Sequence, residues 1–261
     1  YPSVDDDTEA RFEKSPGWGS PAPRVEAAVA ALDVCLQRPD LYERVSADID
    51  RLLDDRHPAT RLQAASHLVR IWDLDRSGFW GRITLRFKRE SNFGVLGHVV
   101  DLLRRVLHVD PLQTEAQLLG LLNRFNGTGD ENRLAEMTAD VIAILAVTYS
   151  SVATGAILSR WIEEPAAHVK PLRRIISTLR GAVALGLRPG EPEDSGTRHR
   201  AQALLHRIVL SANVPLAGYD PRVELPADQV EALRACMDLL DIAGMELYFA
   251  TGKAGGESGG L

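Results

Sequence analysis

The sequence is poor in the residues that usually carry special chemistry. It has two cysteines, Cys35 and Cys236, in 261 residues. Two distant thiols make neither a disulfide framework nor a metal set, and they imply a reducing, cytoplasmic setting. Each falls on an apolar helical stripe, where a small buried hydrophobe belongs. Lysine is nearly missing: Lys14, Lys88, Lys170 and Lys253 leave 26 of the 30 basic residues as arginine, a bias that points to a GC-rich bacterial genome. No alternating β-branched run is bounded by hairpin turns, so strands are not expected. There is no H-E-x-x-H, no Cys/His cluster with zinc spacing and no G-x-S-x-G. Gly252-Lys253 lacks both the earlier glycine and the following Ser/Thr of a phosphate loop. No catalytic, cofactor-binding or metal-binding residue is therefore assigned. No basic-then-apolar leader follows Tyr1, and the missing Met together with the Gly-rich end suggests a piece of a longer multidomain protein.

What is present reads as a folded chain. Hydrophobic residues make up 45% and charged residues 25%, which excludes wholesale disorder. The length suits one large domain or two small ones. A net charge of −6 argues against a dedicated nucleic-acid binder without excluding a local basic patch.

Helical periodicity runs almost throughout from residue 23. Val25, Ala28, Val29, Leu32 and Leu36 draw one stripe, and Leu96, Val99, Val100, Leu103, Val106 and Leu107 another. Leu204, Leu205, Ile208, Val209 and Ala212 follow, then Val230, Leu233, Met237, Leu240 and Leu247. Asp40 with Glu43 has capping-box spacing, and Asp110-Pro111 with Gln113 reads as N-cap, first-turn proline and N3. Pro58 and Pro226 also suit first turns. Nine or ten helices are expected, with longer connections at Gly186–Thr197 and Asn213–Leu225. The expected organisation is an extended leader over 1–22, a helical array over 23–188, C-terminal helices over 189–250 packed on the array, and a flexible tail over 251–261.

An internal repeat refines the fold class. Pro21-Ala-Pro-Arg-Val-Glu-Ala-Ala28 and Pro58-Ala-Thr-Arg-Leu-Gln-Ala-Ala65 share Pro, Ala, Arg, an aliphatic and an Ala-Ala pair at an offset of 37 residues. Small alanine pairs let neighbouring helices approach closely. With Asp54-Asp55-Arg56-His57 before the second copy and Leu68 and Ile71 after it, this segment resembles the HEAT/armadillo-like α-solenoid family. The match is good at 54–71, fair at 21–36 and weak at 110–122. The resemblance implies an all-α, HEAT-like superhelical array with longer C-terminal helices, and a surface for partners, since such repeats often accompany other modules in large proteins.

Residues 141–159 carry no charge over 19 positions, the length of a membrane span. Thr148-Tyr149-Ser150-Ser151 and Gly155 dilute the run, and the neighbouring helices are amphipathic, so it reads as a buried helix and no membrane partner is expected.

Residues 70–89 carry the candidate site. Trp72, Phe79 and Trp80 are interleaved with Arg82, Arg86, Lys88 and Arg89, the mixture that protein–protein hot spots favour. The expected function is a non-catalytic docking or scaffold module for another protein or another domain of the same chain. Two alternatives stay open: nucleic-acid binding through Arg82, Arg86, Lys88 and Arg89, and a HEAT-like DNA-glycosylase activity with Trp72, Asp73 or Asp75, and Arg70 lining a pocket. The plainer reading makes Trp72, Phe79 and Ile83 core and the cations a solvated face. A second basic group, Arg173, Arg174, Arg180, Arg198, Arg200 and Arg207, has no aromatic companions. Of the seven histidines, His199 and His206 share a helix face but have no carboxylate at helical spacing.

Overall fold

The computed structural model describes residues 3–19, 22–185, 195–220, 222 and 224–251. Every regular element among them is helical. The α-helices are α1 (Thr8–Lys14), α2 (Pro23–Gln37), α3 (Tyr42–Leu53), α4 (Pro58–His67), α5 (Arg76–Arg89), α6 (Phe93–Val106), α7 (Pro111–Phe125), α8 (Glu131–Thr148), α9 (Val152–Glu163), α10 (Val169–Val183), α11 (Ser195–Ala217) and α12 (Ala227–Thr251), with 3-10 turns at Pro39–Leu41 and Leu68–Ile71. None is long and apolar enough to cross a membrane.

The chain divides into two compact units, 1–126 and 127–261. In the first unit, α4 lies between α2 and α6, and α5 packs on α7. Prolines open α2, α4 and α7, where the missing N–H costs nothing. Side-chain caps fix four starts. His57 Nδ1 accepts from Ala59 N–H at 3.1 Å, Asp75 from Gly78 at 2.7 Å, Asn92 from Val95 at 3.3 Å and Asp110 from Gln113 at 3.1 Å. Gly78 is obligatory beside its cap, because a Cβ there would lie 2.0 Å from Asp75 Oδ2. The expected Asp40 capping box does not form. Asp40 sits in a 3-10 turn, holds Arg38 through two bonds of 2.9 and 2.7 Å, and leaves α3 without a side-chain cap.

Of the two alanine pairs, Ala64 and Ala65 are both fully buried, whereas in the first copy Ala28 is buried and Ala27 is exposed. The leader is not wholly extended, however: Thr8–Lys14 forms a helix seated on α4 and α6, with Phe12 in an apolar hole between Val25, Ala59, Leu62 and Val95. That hole repays ordering a segment whose composition otherwise favours solvent.

The second unit is built around α10, which packs on α8, α11 and α12. The uncharged run does not form one helix. It breaks at 149–151, where Ser150 takes a left-handed φ of 57° and Ser151 Oγ caps α9 by accepting from Thr154 N–H at 3.1 Å. The expected connection at Asn213–Leu225 is shorter than its composition suggests, since α11 continues through Pro215 to Ala217. The other, Gly186–Thr197, falls mostly outside the described residues, as do 1, 2, 20 and 21 of the leader and 252–261 of the tail. On α12 the buried stripe is Cys236, Leu239, Ala243, Glu246 and Ala250, not the one expected: Met237 and Leu247 face outward. Small residues let this long helix lie close to α10 and α11, which turns the larger ones to solvent.

Candidate interaction surface

Most of the segment expected to dock a partner is turned inward. Trp72, Phe79 and Trp80 are buried and meet edge to face, with centroids 5.0 Å (Trp72–Phe79), 5.7 Å (Trp72–Trp80) and 5.0 Å (Phe79–Trp80) apart. They form the packing wedge between the 3-10 turn and α5. Arg82 and Arg86 point from α5 onto α3 and are also buried. Arg82 donates to Asp50 at 2.7 Å, Ser46 Oγ at 2.7 Å and Tyr42 Oη at 2.9 Å, while Tyr42 donates to Asp75 at 2.7 Å. Burial, then the bond to Asp75, raises the Tyr42 pKa, and the bonds from Tyr42 and Gly78 hold Asp75 low. Arg86 donates to the Leu53 carbonyl at 2.6 Å and pairs with Asp54. Only Lys88 and Arg89 of the expected set are exposed, and Arg89 lies 3.4 Å from Asp54. Trp72, Phe79, Trp80, Arg82 and Arg86 are thus buried, and the acids that hold the two arginines, Asp50 on α3 and Asp54 just after it, lie 32 residues away.

The glycosylase-type set does not converge. Arg70 pairs with Asp33 at 2.6 Å, Asp73 is almost fully exposed, and the Asp75 carboxylate is occupied by Gly78 and Tyr42. The second basic group is likewise tethered inside its own unit: Arg173 to Asp238 at 2.9 Å, Arg174 to Asp140 at 2.8 Å, Arg180 to Glu246, and Arg198, Arg200 and Arg207 to Leu185 O, Val147 O and Ser159 Oγ. Burial depresses the pKa of His57, His98 and His168, and burial raises both thiols. No group of three or more His, Cys, Asp or Glu suited to a metal ion occurs among the described residues.

Large apolar side chains reach the surface in both units, among them Leu36, Val109 and Leu112 of the first. Leu210 and Val214 on α11, Tyr219 beyond it, and Met237, Met245, Tyr248 and Phe249 on α12 are exposed. A groove of about 320 Å³ opens where α11 ends, between Pro215, Tyr219, Leu225, Ala232 and Leu233. No family model, curated protein or solved structure matches the chain. The site therefore rests on its own chemistry. Exposed apolar side chains of this kind can bury a complementary surface. Sequence reasoning missed this surface because it placed Met237 and Leu247 on the packed stripe. The signal available was the small-residue spacing Cys236, Ala243, Ala250, which marks the opposite face.

Proposed function

We propose that the chain is a non-catalytic protein-docking module, and that its docking surface is the outer face of α11 and α12. One observation carries this reading: Val214, Tyr248 and Phe249 are 71%, 63% and 55% exposed, while Arg82 and Glu246 are tied into the chain's own packing. Interfaces gather aromatic side chains and methionine at their centres, and this face supplies both. We further propose that residues 23–125 form a short HEAT-like array. Its support is the 37-residue repeat, the buried Ala28 and Ala65 at equivalent positions, and the stacking of α2, α4 and α6.

The test is site-specific photo-crosslinking in extract of the source cell. A benzoylphenylalanine at position 214 or 248 should give a discrete adduct that Leu210→Glu abolishes without loss of helical signal. The same probe at the exposed Leu112 of the first unit is the control. Equal adducts from all three positions would remove the reading.

A further inference from the structure

The helix α1 contributes little to the core of its unit, yet it sits in a slot with a specific chemistry. It buries two residues, Thr8 and Phe12. Its other ties are polar and directed. Glu9 accepts from Arg61 Nη2 at 2.9 Å and from Asn92 Nδ2 at 2.8 Å, and its backbone carbonyl accepts from Asn92 Nδ2 at 3.1 Å. Glu13 accepts the Phe93 N–H at 3.3 Å, at the start of α6. Between these two acids, Phe12 enters the hole made by Val25, Ala59, Leu62 and Val95, with its ring edge-on to His57.

The donors of this slot are held in place without α1. Glu90 grips Arg61 through Nε at 2.8 Å and Nη2 at 3.0 Å, and the Asp55 carbonyl takes Nη1 at 3.0 Å. Asn92 is fixed by its own cap: Oδ1 accepts from Val95 N–H while Nδ2 is left to face α1. With α1 seated, Arg61 and Asn92 are both more than nine-tenths buried, and their donors are aimed at it. Gly94 keeps the floor of the slot open, since a Cβ there would come within 3.0 Å of Asn92 Oδ1, 3.2 Å of Pro16 and 3.6 Å of Phe12. Preorganised donors beside an apolar hole bind with little ordering cost. The occupant is joined to the rest of the chain through Ser15-Pro-Gly-Trp-Gly-Ser-Pro21, a connection rich in turn residues.

We propose that this slot is a docking site for a short acidic helix of a partner protein, patterned acid–x–x–aromatic–acid, and that α1 is its resident, exchangeable occupant. Glu9, Phe12 and Glu13 supply that pattern in cis. A partner segment of the same chemistry replaces α1 and leaves Arg61, Glu90 and Asn92 where they are. The proposal is independent of the surface on α11 and α12.

The experiment uses the full chain and a fluorescein-labelled peptide of residues 3–17, followed by anisotropy. The wild-type chain should bind the peptide weakly, because the tethered α1 has a high effective concentration. The variant Glu9→Gln/Phe12→Ala, with its own α1 loosened, should bind at least tenfold tighter at unchanged helical signal. Glu9→Gln alone, at a half-exposed side chain, serves should the double variant unfold. Two controls do not touch α1 of the chain: a peptide carrying Phe12→Ala, and the chain variant Gly94→Leu on the loosened background, should each weaken binding at least tenfold. No gain on loosening α1, or binding that survives Gly94→Leu, overturns the proposal. A wild-type dimer that grows with concentration and is dissolved by the peptide also overturns it, and assigns the slot to α1 of a second copy.

Discussion

Three ion-paired arginines of the first unit are buried. The side chains of Arg61, Arg82 and Arg86 are 9%, 9% and 3% exposed, while Asp50 and Asp54 opposite the last two are 56% and 46% exposed. In two pairs of the second unit the acid is instead the buried member: Asp140 is 12% and Glu246 4% exposed, against 54% for Arg174 and 49% for Arg180. A guanidinium has five N–H groups and cannot shed its charge, so burying one demands several acceptors in fixed positions. Arg61 and Arg82 find carboxylates, hydroxyls and main-chain carbonyls on more than one helix. A buried carboxylate needs fewer partners and has a way out, because it can take up a proton. The buried guanidiniums of the first unit are therefore held by acceptors from several helices, a demand that the two buried acids of the second unit do not make.

The strongest test of this contrast is Glu90→Ala. It leaves Arg61 charged and buried with its main partner gone, and the expected loss is ~3–5 kcal/mol. Denaturant unfolding of a Trp161→Phe background would follow it, since the remaining tryptophans, Trp18, Trp72 and Trp80, all lie in the first unit. The matching change in the second unit, Arg180→Met, should cost clearly less, because Glu246 can be protonated and the arginine already reaches solvent. Equal losses would break the comparison.

Next in size is Ala65→Leu. It forces a larger side chain into the seam of α2, α4 and α6 and should cost ~1–3 kcal/mol by overpacking, read as a shift of the unfolding midpoint. Ser150→Gly should gain ~1 kcal/mol in the second unit, since glycine adopts the left-handed φ without strain.

The smallest expected effect is that of pH. His57, His98 and His168 all have pKa values lowered from 6.5 by burial. The unfolded chain then binds protons first, so their contribution is complete above pH 6.5 and declines as the pH falls below it. Glu246, held low by Arg180 and then Ser177, acts the same way below its ordinary 4.5. Thermal melts between pH 7 and 4 should show the decline. His57→Asn keeps an N-cap acceptor and removes one titrating ring, and should flatten the upper part of that curve for the first unit.

The helices were legible where the signal is local. Asp110-Pro111 and the Leu96–Leu107 stripe could be read directly, because a cap and a period need only neighbouring residues. The Ala-Ala pairs were legible only in part, since Ala64 and Ala65 are buried but Ala27 is exposed. The direction of Arg82 and Arg86 could not be read, since it depends on acids of α3 brought near by the fold. A surface arginine and a buried one look alike in a sequence, and the flanking aromatics fit either. Thr8–Lys14 was missed because one phenylalanine in a polar stretch gives no periodicity. The outward face of α12 was misassigned because its packed stripe is made of small residues, which hydrophobic patterning underweights.

The break at Tyr149-Ser150-Ser151 has a consequence for how the second unit is assembled. Joined end to end, α8 and α9 with their connection would make one rod of about 50 Å at the usual helical rise. Bent, they lie side by side, and the greasy run that length alone would send into a bilayer is shared between two short cylinders. A single left-handed serine thus acts as the elbow on which the closing of that half depends, and stiffening it into regular helix would unmake the half rather than merely weaken it.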